Sequence, residues 1–276
     1  MNGRIIASVA GDYRVQVDDG SVIACKARGL FRLKKVSPCV GDYVVLTLED
    51  SDYVIDEISE RKNVLVRPHL ANLDKAVIVV SSCEPKPNAL IIDRLTVIFD
   101  SKNIESVLVF TKVDKKEAEF LDIYREAGFT CYKNDEIEEL GEYLNGKTSA
   151  LIGNTGVGKT SLLNRLIPGL NLPTAEISKK LGRGKHTTRT VELHRLPNGG
   201  YVADTPGFST VETKLYGEIP SSEIALHFQE FVPFIGECKF NGCTHTGEEG
   251  CLMPKGSRYN SYKSIYQEAK KVENEY

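Results

Sequence analysis

The sequence predicts a multidomain α/β protein, and three observations carry that prediction. Short runs of alternating apolar and polar residues fill about the first 62 positions, continuous apolar strands followed by helical stretches begin near residue 63, and a Cys/His cluster lies close to the C-terminus. At 276 residues the chain has room for more than one core, and 41% hydrophobic with 26% charged residues excludes collagen-like, low-complexity and disordered classes. No apolar run approaches the roughly 20 residues that cross a bilayer. The start, MNGRIIASVAGDYRVQVDDG, carries charges and glycines where a signal peptide has its apolar stretch. The expected location is the cytoplasm, where seven cysteines serve as thiols or metal ligands. A net charge of −3 taken alone points away from nucleic acid.

The first expected domain spans residues 1–62. Arg4 to Val9, Tyr13 to Val17, Val22 to Ala24, Tyr43 to Leu48 and Tyr53 to Ile58 alternate apolar with polar positions, and Gly11-Asp12, Asp18-Asp19-Gly20 and Gly41-Asp42 mark turns between them. About five short strands at this spacing predict a small antiparallel barrel.

The second expected domain spans residues 63–212. Ala76 to Val80 (AVIVV) and Val107 to Phe110 (VLVF) read as buried parallel strands, and Ile91, Leu95 and Ile98 between them recur at helical spacing. Gly153-Asn154-Thr155-Gly156-Val157-Gly158-Lys159-Thr160 then fits G-x4-G-K-[ST], with the strand-like Ser149 to Ile152 before it and a helix from Ser161 to Ile167 after it. Glycines are needed there because phosphate oxygens approach backbone N–H groups more closely than a Cβ allows, and the helix N-terminus adds partial positive charge. Lys159 is assigned to the β- and γ-phosphates and the Thr160 hydroxyl to Mg²⁺.

A phosphate loop does not distinguish ATP from GTP. Thr111-Lys112-Val113-Asp114, directly after VLVF, matches the guanine-reading [NT]KxD element, in which the carboxylate accepts two hydrogen bonds from a donor pair that adenine lacks. Asp204-Thr205-Pro206-Gly207 matches DxxG: Asp204 is expected to hold Mg²⁺ through water and the Gly207 N–H to sense the γ-phosphate. The order is inverted relative to ordinary GTPases, because Asp114 precedes Gly153, and that order is a circular permutation. Whatever follows residue 207 then sits next to the γ-phosphate sensor.

Asn171 to Arg189 lacks periodicity and reads as a long loop rich in Gly, Thr and Lys. One of Thr187 and Thr188 is expected to close on Mg²⁺. Phe208 stands where a Ras-like enzyme carries its water-orienting Gln, so another group must position water, and His186 is the candidate catalytic residue. VELHRLPNGGYVAD after the loop is a hairpin turning at Pro197 to Gly200.

The third expected domain spans residues 213–276. A helix opens near Ser221 or Ser222, and a final helix places Tyr259, Tyr262, Tyr266 and Ala269 on one face. Between them Cys238-x4-Cys243-x-His245-x5-Cys251 offers three thiolates and an imidazole, a donor set that fits one tetrahedral, structural Zn²⁺ per chain with no open position. With few large apolar residues beside it, the segment is expected to depend on metal for folding. Cys25, Cys39, Cys83 and Cys131 are scattered and read as buried thiols.

The permuted order, DTPG, Gly182-Arg183-Gly184-Lys185-His186-Thr187-Thr188, the Cys₃His cluster, and Cys25-Lys26-Ala27-Arg28-Gly29 followed by Val40-Gly41-Asp42 together resemble the ribosome small-subunit-dependent GTPase family (RsgA, also called YjeQ) over nearly the whole chain. The resemblance implies an N-terminal OB-fold, a circularly permuted GTPase domain and a zinc domain. It also implies GTP hydrolysis stimulated by the small (30S) ribosomal subunit, late in that subunit's maturation, with release of assembly factors by a monomer that touches 16S rRNA. The family's proposed catalytic His falls on His186. The sequence departs from the family at Thr155 and Thr160, where Ser is usual, and has no clear Ser-Ala pair near Thr130-Cys131-Tyr132, where a second base-contacting loop belongs. The segment between Cys251 and Arg258 is shorter than the family's.

Charge placement agrees with an RNA partner despite the net value. Lys26, Arg28, Arg32, Lys34 and Lys35 put five basic residues and no acid into ten positions around Phe31, and OB-folds hold nucleic acid on such faces. Lys255, Arg258 and Lys263 with Tyr259 and Tyr262 form a second patch. A solvated face is the alternative for both. For the whole chain, the competing reading is a zinc and OB-fold RNA-binding module that keeps GTP as a structural ligand without significant turnover.

Overall fold

Alternation in the first segment produces five strands, β1 (Asn2–Val9), β2 (Asp12–Val17), β3 (Val22–Ala27), β4 (Tyr43–Glu49) and β5 (Asp52–Ile58), whose inward positions Ile5, Val15, Val17, Val44, Leu46 and Ile55 are buried. The computed structural model describes residues 1–33, 36–174, 191–205 and 219–275, the side chains of Arg32 and Leu33 excepted. β1 pairs with both β2 and β4, and β3 runs parallel to β5, so the order β1-β2-β3-β5-β4 closes on itself as an OB-like barrel. A short helix, α1 (Leu30–Leu33), follows β3. A two-stranded ribbon, β6 (Val64–Leu65) with β7 (Leu70–Ala71), leads out of the barrel.

The apolar runs form parallel strands: β8 (Lys75–Ser81) pairs with β9 (Glu105–Thr111) and β11 (Thr148–Ile152), β9 pairs with β10 (Thr130–Lys133), and β11 pairs with β13 (Tyr201–Asp204). Every residue of β8 and β11 is buried, as in a sheet covered on both faces. Helix α2 (Ala89–Asp100) connects β8 to β9. Its side-chain cap is Asn88, which accepts from the Ile91 N–H, and it buries Ile92, Leu95, Ile98 and Phe99. The helices α3 (Leu121–Glu126), α4 (Ile137–Tyr143) and α5 (Lys159–Leu166) complete the layers. The chain runs outward from β8 through β9 to β10, then returns to place β11 on the other side of β8. The crevice at the C-terminal ends of β8 and β11 is therefore a topological switch point, where open α/β sheets bind ligands.

β12 (Glu192–Arg195) pairs antiparallel with β13 and, through Ala7 opposite Glu192, with β1. Barrel and central sheet thereby become one continuous 11-stranded sheet, reinforced by an Arg14–Glu192 ion pair at 2.6 Å.

The C-terminal region departs from expectation in two ways. The helix opening at Ser221 is 3-10 (Ser221–His227), and the region has an aromatic core of its own. Phe228 stacks on Phe231 at 5.2 Å, and Tyr262 of α6 (Tyr259–Glu273) packs edge-on against both rings. Val97 of α2 belongs to the same cluster, so the region docks on α2. Full burial of each large side chain contributes about 1.5–3 kcal/mol, which metal need not supply. The second basic patch is corrected by the same packing. Arg258 is 4% exposed and Tyr259 and Tyr262 are buried, because α6 turns that face inward. Cys25, Cys39 and Cys131 are buried thiols, with burial pushing Cys39 up to about 12, whereas Cys83 is partly exposed.

Candidate nucleotide and metal sites

The phosphate loop fills the turn between β11 and α5. Gly153 has φ 151°, and a Cβ there would lie 2.6 Å from the Val79 carbonyl oxygen; Gly158 caps α5 with φ 104°. Asn154, Gly156 and Val157 lie within the loop, whose Thr155 is exposed, and Ser161 is exposed on the first turn of the helix. Lys159 is buried and donates from Nζ to the carbonyl oxygens of Gly153 at 2.8 Å and Asn154 at 3.0 Å. Burial lowers its ammonium to about 8, with Asp204 opposing the shift.

Asp204 ends β13 beside that loop. The Thr160 hydroxyl donates to Asp204 Oδ2 at 3.4 Å, which brings together two of the expected Mg²⁺ contacts from separate elements. Burial raises the Asp204 carboxyl against the pull of Lys159, so a cation here relieves a desolvated carboxylate; the hard oxygen donors suit Mg²⁺.

The TKVD segment leaves β9 on the far side of β8. Thr111 is buried and its hydroxyl donates to the Val157 carbonyl; Lys112, at φ 59°, donates from Nζ to the carbonyls of Gly156, at 2.9 Å, and Glu84. These bonds tie the base-reading and phosphate-reading segments into one unit. Val113 packs on the central core and Asp114 is exposed beyond it. Glu84 was not legible as a participant, because only its backbone acts. Thr130, Cys131 and Tyr132 form β10. The turn after them joins the same edge, since the Asn134 N–H donates to Phe110 O at 2.8 Å. His186, Thr187, Thr188 and Gly207 lie outside the described residues. A cavity of about 560 Å³ between α2 and the 3-10 helix is lined by Thr130 but by no residue of the phosphate loop or the TKVD segment and not by Asp204.

Cys238, Cys243, His245 and Cys251 converge, their ligand atoms all within 4.8 Å of one another. His245 Nδ1 lies 3.5 Å from the Cys238 sulfur and 3.8 Å from that of Cys251, and the Leu252 N–H donates to Cys238 Sγ at 3.4 Å. The loop is braced by Glu248, which accepts from the Thr244 hydroxyl and from the N–H groups of Thr244, Thr246 and Gly247; against a desolvation penalty its carboxyl is held at about 2, first by the Thr244 hydroxyl and then by backbone N–H groups. Four convergent donors of this kind can hold one metal ion.

The barrel's basic face is revised. Lys26 is exposed, but Arg28 pairs with Glu49 and Asp56, and Phe31 is 8% exposed in the barrel core, because α1 turns its ring inward instead of offering it for stacking. Lys34, Lys35 and the Arg32 side chain lie outside the described residues.

A phosphate loop and a guanine-type segment joined across a parallel sheet, with the guanine segment earlier in the chain, define a circularly permuted GTPase. The family model described as RsgA GTPase matches residues 58–214, and that described as RsgA N-terminal domain matches residues 2–54. "Small ribosomal subunit biogenesis GTPase RsgA 2" of Oceanobacillus iheyensis is 44% identical, covering 96% of each chain, and "Small ribosomal subunit biogenesis GTPase RsgA" of Alkaliphilus metalliredigens is 40% identical, covering 98% of each. Among solved structures, YloQ, a circularly permuted GTPase, superposes with a TM-score of 0.77 at 32% identity, covering 98% of this chain and 95% of that one. YjeQ from Thermotoga maritima superposes at 0.76 with 33% identity, covering 98% of each. The chain belongs to the RsgA GTPase family and is a GTP hydrolase. No helix among the described residues is long and apolar enough to cross a membrane.

Proposed function

We propose that this GTPase acts in the cytoplasm as a monomer on the small (30S) ribosomal subunit, binds 16S rRNA, hydrolyses GTP when docked, and thereby assists late maturation and the release of assembly factors. The observation that carries the reading is the convergence of the phosphate loop, the Thr160–Asp204 pair and the TKVD segment at one sheet edge, in a chain whose relatives are named for small-subunit biogenesis. Residues 1–62, 63–212 and 213–276 divide the work into barrel, GTPase domain and zinc-binding domain.

In this reading Asp114 accepts two hydrogen bonds from guanine, Lys112 lies along the base, and the N–H groups from Gly153 to Ser161 cradle the phosphates. Charge developing on the γ-phosphoryl oxygens is met by Lys159 and by the N-terminus of α5. Mg²⁺, when bound, neutralises charge on the β- and γ-phosphate oxygens. Thr160, Asp204 and one of Thr187 and Thr188 hold it, while Gly207 senses the γ-phosphate and His186 orients the attacking water. Cys238, Cys243, His245 and Cys251 hold Zn²⁺ as a closed structural site, because a borderline-soft ion matches three thiolates and an imidazole. Of the rRNA face, Lys26 and Arg28 remain candidates with Arg32, Lys34 and Lys35; Phe31 does not.

Sedimentation with purified small subunits tests the reading. The protein should pellet with subunits when loaded with a non-hydrolysable GTP analogue and largely stay in solution with GDP. Equal recovery in both states, or none in either, contradicts it.

A further inference from the structure

Arg4 lies on β1 where the barrel meets the central sheet, and it is 7% exposed. Its guanidinium carbon sits 5.0 Å from the ring centroids of both Tyr43 and Tyr201, so an aromatic ring from each of two domains holds the cation. Nε donates to the Gly41 carbonyl at 3.3 Å, but Nη2 is buried and has no hydrogen-bond partner. Among the described residues no carboxylate pairs with it. Asp74, whose field reaches it, is already engaged by Lys62 and by the Thr148 N–H.

Arg258 shows how the same molecule treats an equally buried guanidinium: Asp93 and Glu230 both pair with it, and Thr96 accepts from the remaining nitrogen. A desolvated cation without a counter-charge is costly, and a buried donor without an acceptor adds to that cost. Arg4 carries both.

A cavity of about 490 Å³ opens on Arg4, within the range of small-molecule sites. Asn2, Ser59 and Arg195 line it with further donors, and Asp18 is the acid in its lining. Gln16, also in the lining, is engaged at both ends: it accepts from the Tyr201 hydroxyl at 2.5 Å and donates from its amide nitrogen to the Gly20 carbonyl at 3.4 Å. Barrel strands supply one wall, and Arg195 and Tyr201, at the facing ends of β12 and β13, supply the other.

We propose that this cavity is a second anion site, separate from the nucleotide site, that takes a phosphoryl group with Arg4 and Arg195 as its positive charges. The phosphoryl group belongs either to a small phosphorylated molecule or to an RNA backbone; the recognition chemistry is shared. Arg4 Nε is taken by Gly41 and Nη2 is enclosed by protein, so Arg4 acts on an occupant through its uncompensated charge, while Arg195, exposed at the rim, offers the guanidinium fork that presents parallel N–H groups to phosphate oxygens. Because one wall leads along β13 to Asp204, an occupant would brace the barrel against the strand that carries the Mg²⁺ carboxylate.

The test uses full-length protein already saturated with GDP and Mg²⁺, so that the phosphate loop is closed to added anions. Inorganic phosphate, a nucleoside monophosphate and a short single-stranded RNA are titrated separately against parent, Arg4→Met and Arg195→Ala, by calorimetry and by thermal melting. At least one probe should bind the parent and raise its Tm, with each variant weakening that probe roughly tenfold or more, the loss of one charge-assisted contact. Tighter binding of the monophosphate assigns the occupant to a small molecule, and tighter binding of the RNA assigns it to a backbone phosphate; either supports the site. Should Arg4→Met misfold, Arg195→Ala, at an exposed rim position, decides alone. No binding of any probe to the parent at about 10 mM, or unchanged binding in Arg195→Ala and in a folded Arg4→Met, overturns the proposal and leaves Arg4 a cation held only by its two rings.

Discussion

Lys159 shows what burial does to a phosphate-binding amine before its ligand arrives. Desolvation lowers the free ammonium to about 8, and bound phosphates favour the charged form, so nucleotide binding takes up a proton wherever the free lysine is neutral. GDP affinity should therefore be flat below about pH 7 and fall by up to about tenfold per unit above about pH 8. Calorimetry in buffers of different ionisation enthalpy checks this through proton uptake near pH 9; a flat affinity across the range contradicts it. Such residues were legible because the motif is local: eight consecutive positions fix the loop, and the chemistry allows few substitutes. Phe31 was misread for the opposite reason. Its neighbours are basic, but a four-residue helix decides where its ring points, and no sequence period reports that. Arg4 was not legible as special, since its surroundings come from Tyr43 and Tyr201, far along the chain.

At the scale of elements, α2 and α6 are the joint between the GTPase domain and the region that carries the Cys₃His cluster. Arg258, just before α6, donates to Asp93 at 2.7 Å and to Glu230 at 2.8 Å, while its guanidinium lies 4.7 Å from the Phe228 centroid. Both Arg258 and Asp93 are fully inside, so Arg258→Met leaves a buried acid unpaired and should cost about 3–5 kcal/mol, read as a lower midpoint in chemical denaturation. A midpoint within error of the parent's would mean that the ions are solvated.

The aromatic cluster changes what chelation should do. Removing the metal is expected to speed amide exchange across Cys238 to Cys251, while far-UV circular dichroism keeps the α6 signal, because Phe228, Phe231 and Tyr262 still pack. Loss of that helix on chelation would restore metal as the organiser of the whole region. Periodicity in the sequence found α6 and its tyrosine face but not the face's destination, which depends on Phe228 and Phe231 about thirty positions earlier. The β1–β12 junction was likewise invisible, because one pair of edge residues, Ala7 and Glu192, sets it.

For the whole molecule, the net charge of −3 conceals how the charges are spent. Arg258 pairs with Asp93 and Glu230, Arg61 with Asp42, and Arg28 with Glu49 and Asp56, so part of the positive charge is spent inside the molecule. Under the proposed function, docking on RNA should then be local and oriented instead of diffuse. The continuous sheet gives such docking a route inward, since the barrel's β1 abuts β12, β12 pairs with β13, and β13 ends at Asp204 beside Thr160. The C-terminal region meets the GTPase domain at α2, through Val97 and the Arg258–Asp93 pair.

That arrangement is tested most directly by steady-state GTP hydrolysis with and without purified small ribosomal subunits, on the parent and on His186→Ala. The account predicts slow turnover by the protein alone, a marked rise on adding subunits, and a stimulated rate roughly 10²-fold lower or more in the variant. Turnover that does not respond to subunits, or a stimulated rate that His186→Ala leaves unchanged, contradicts it.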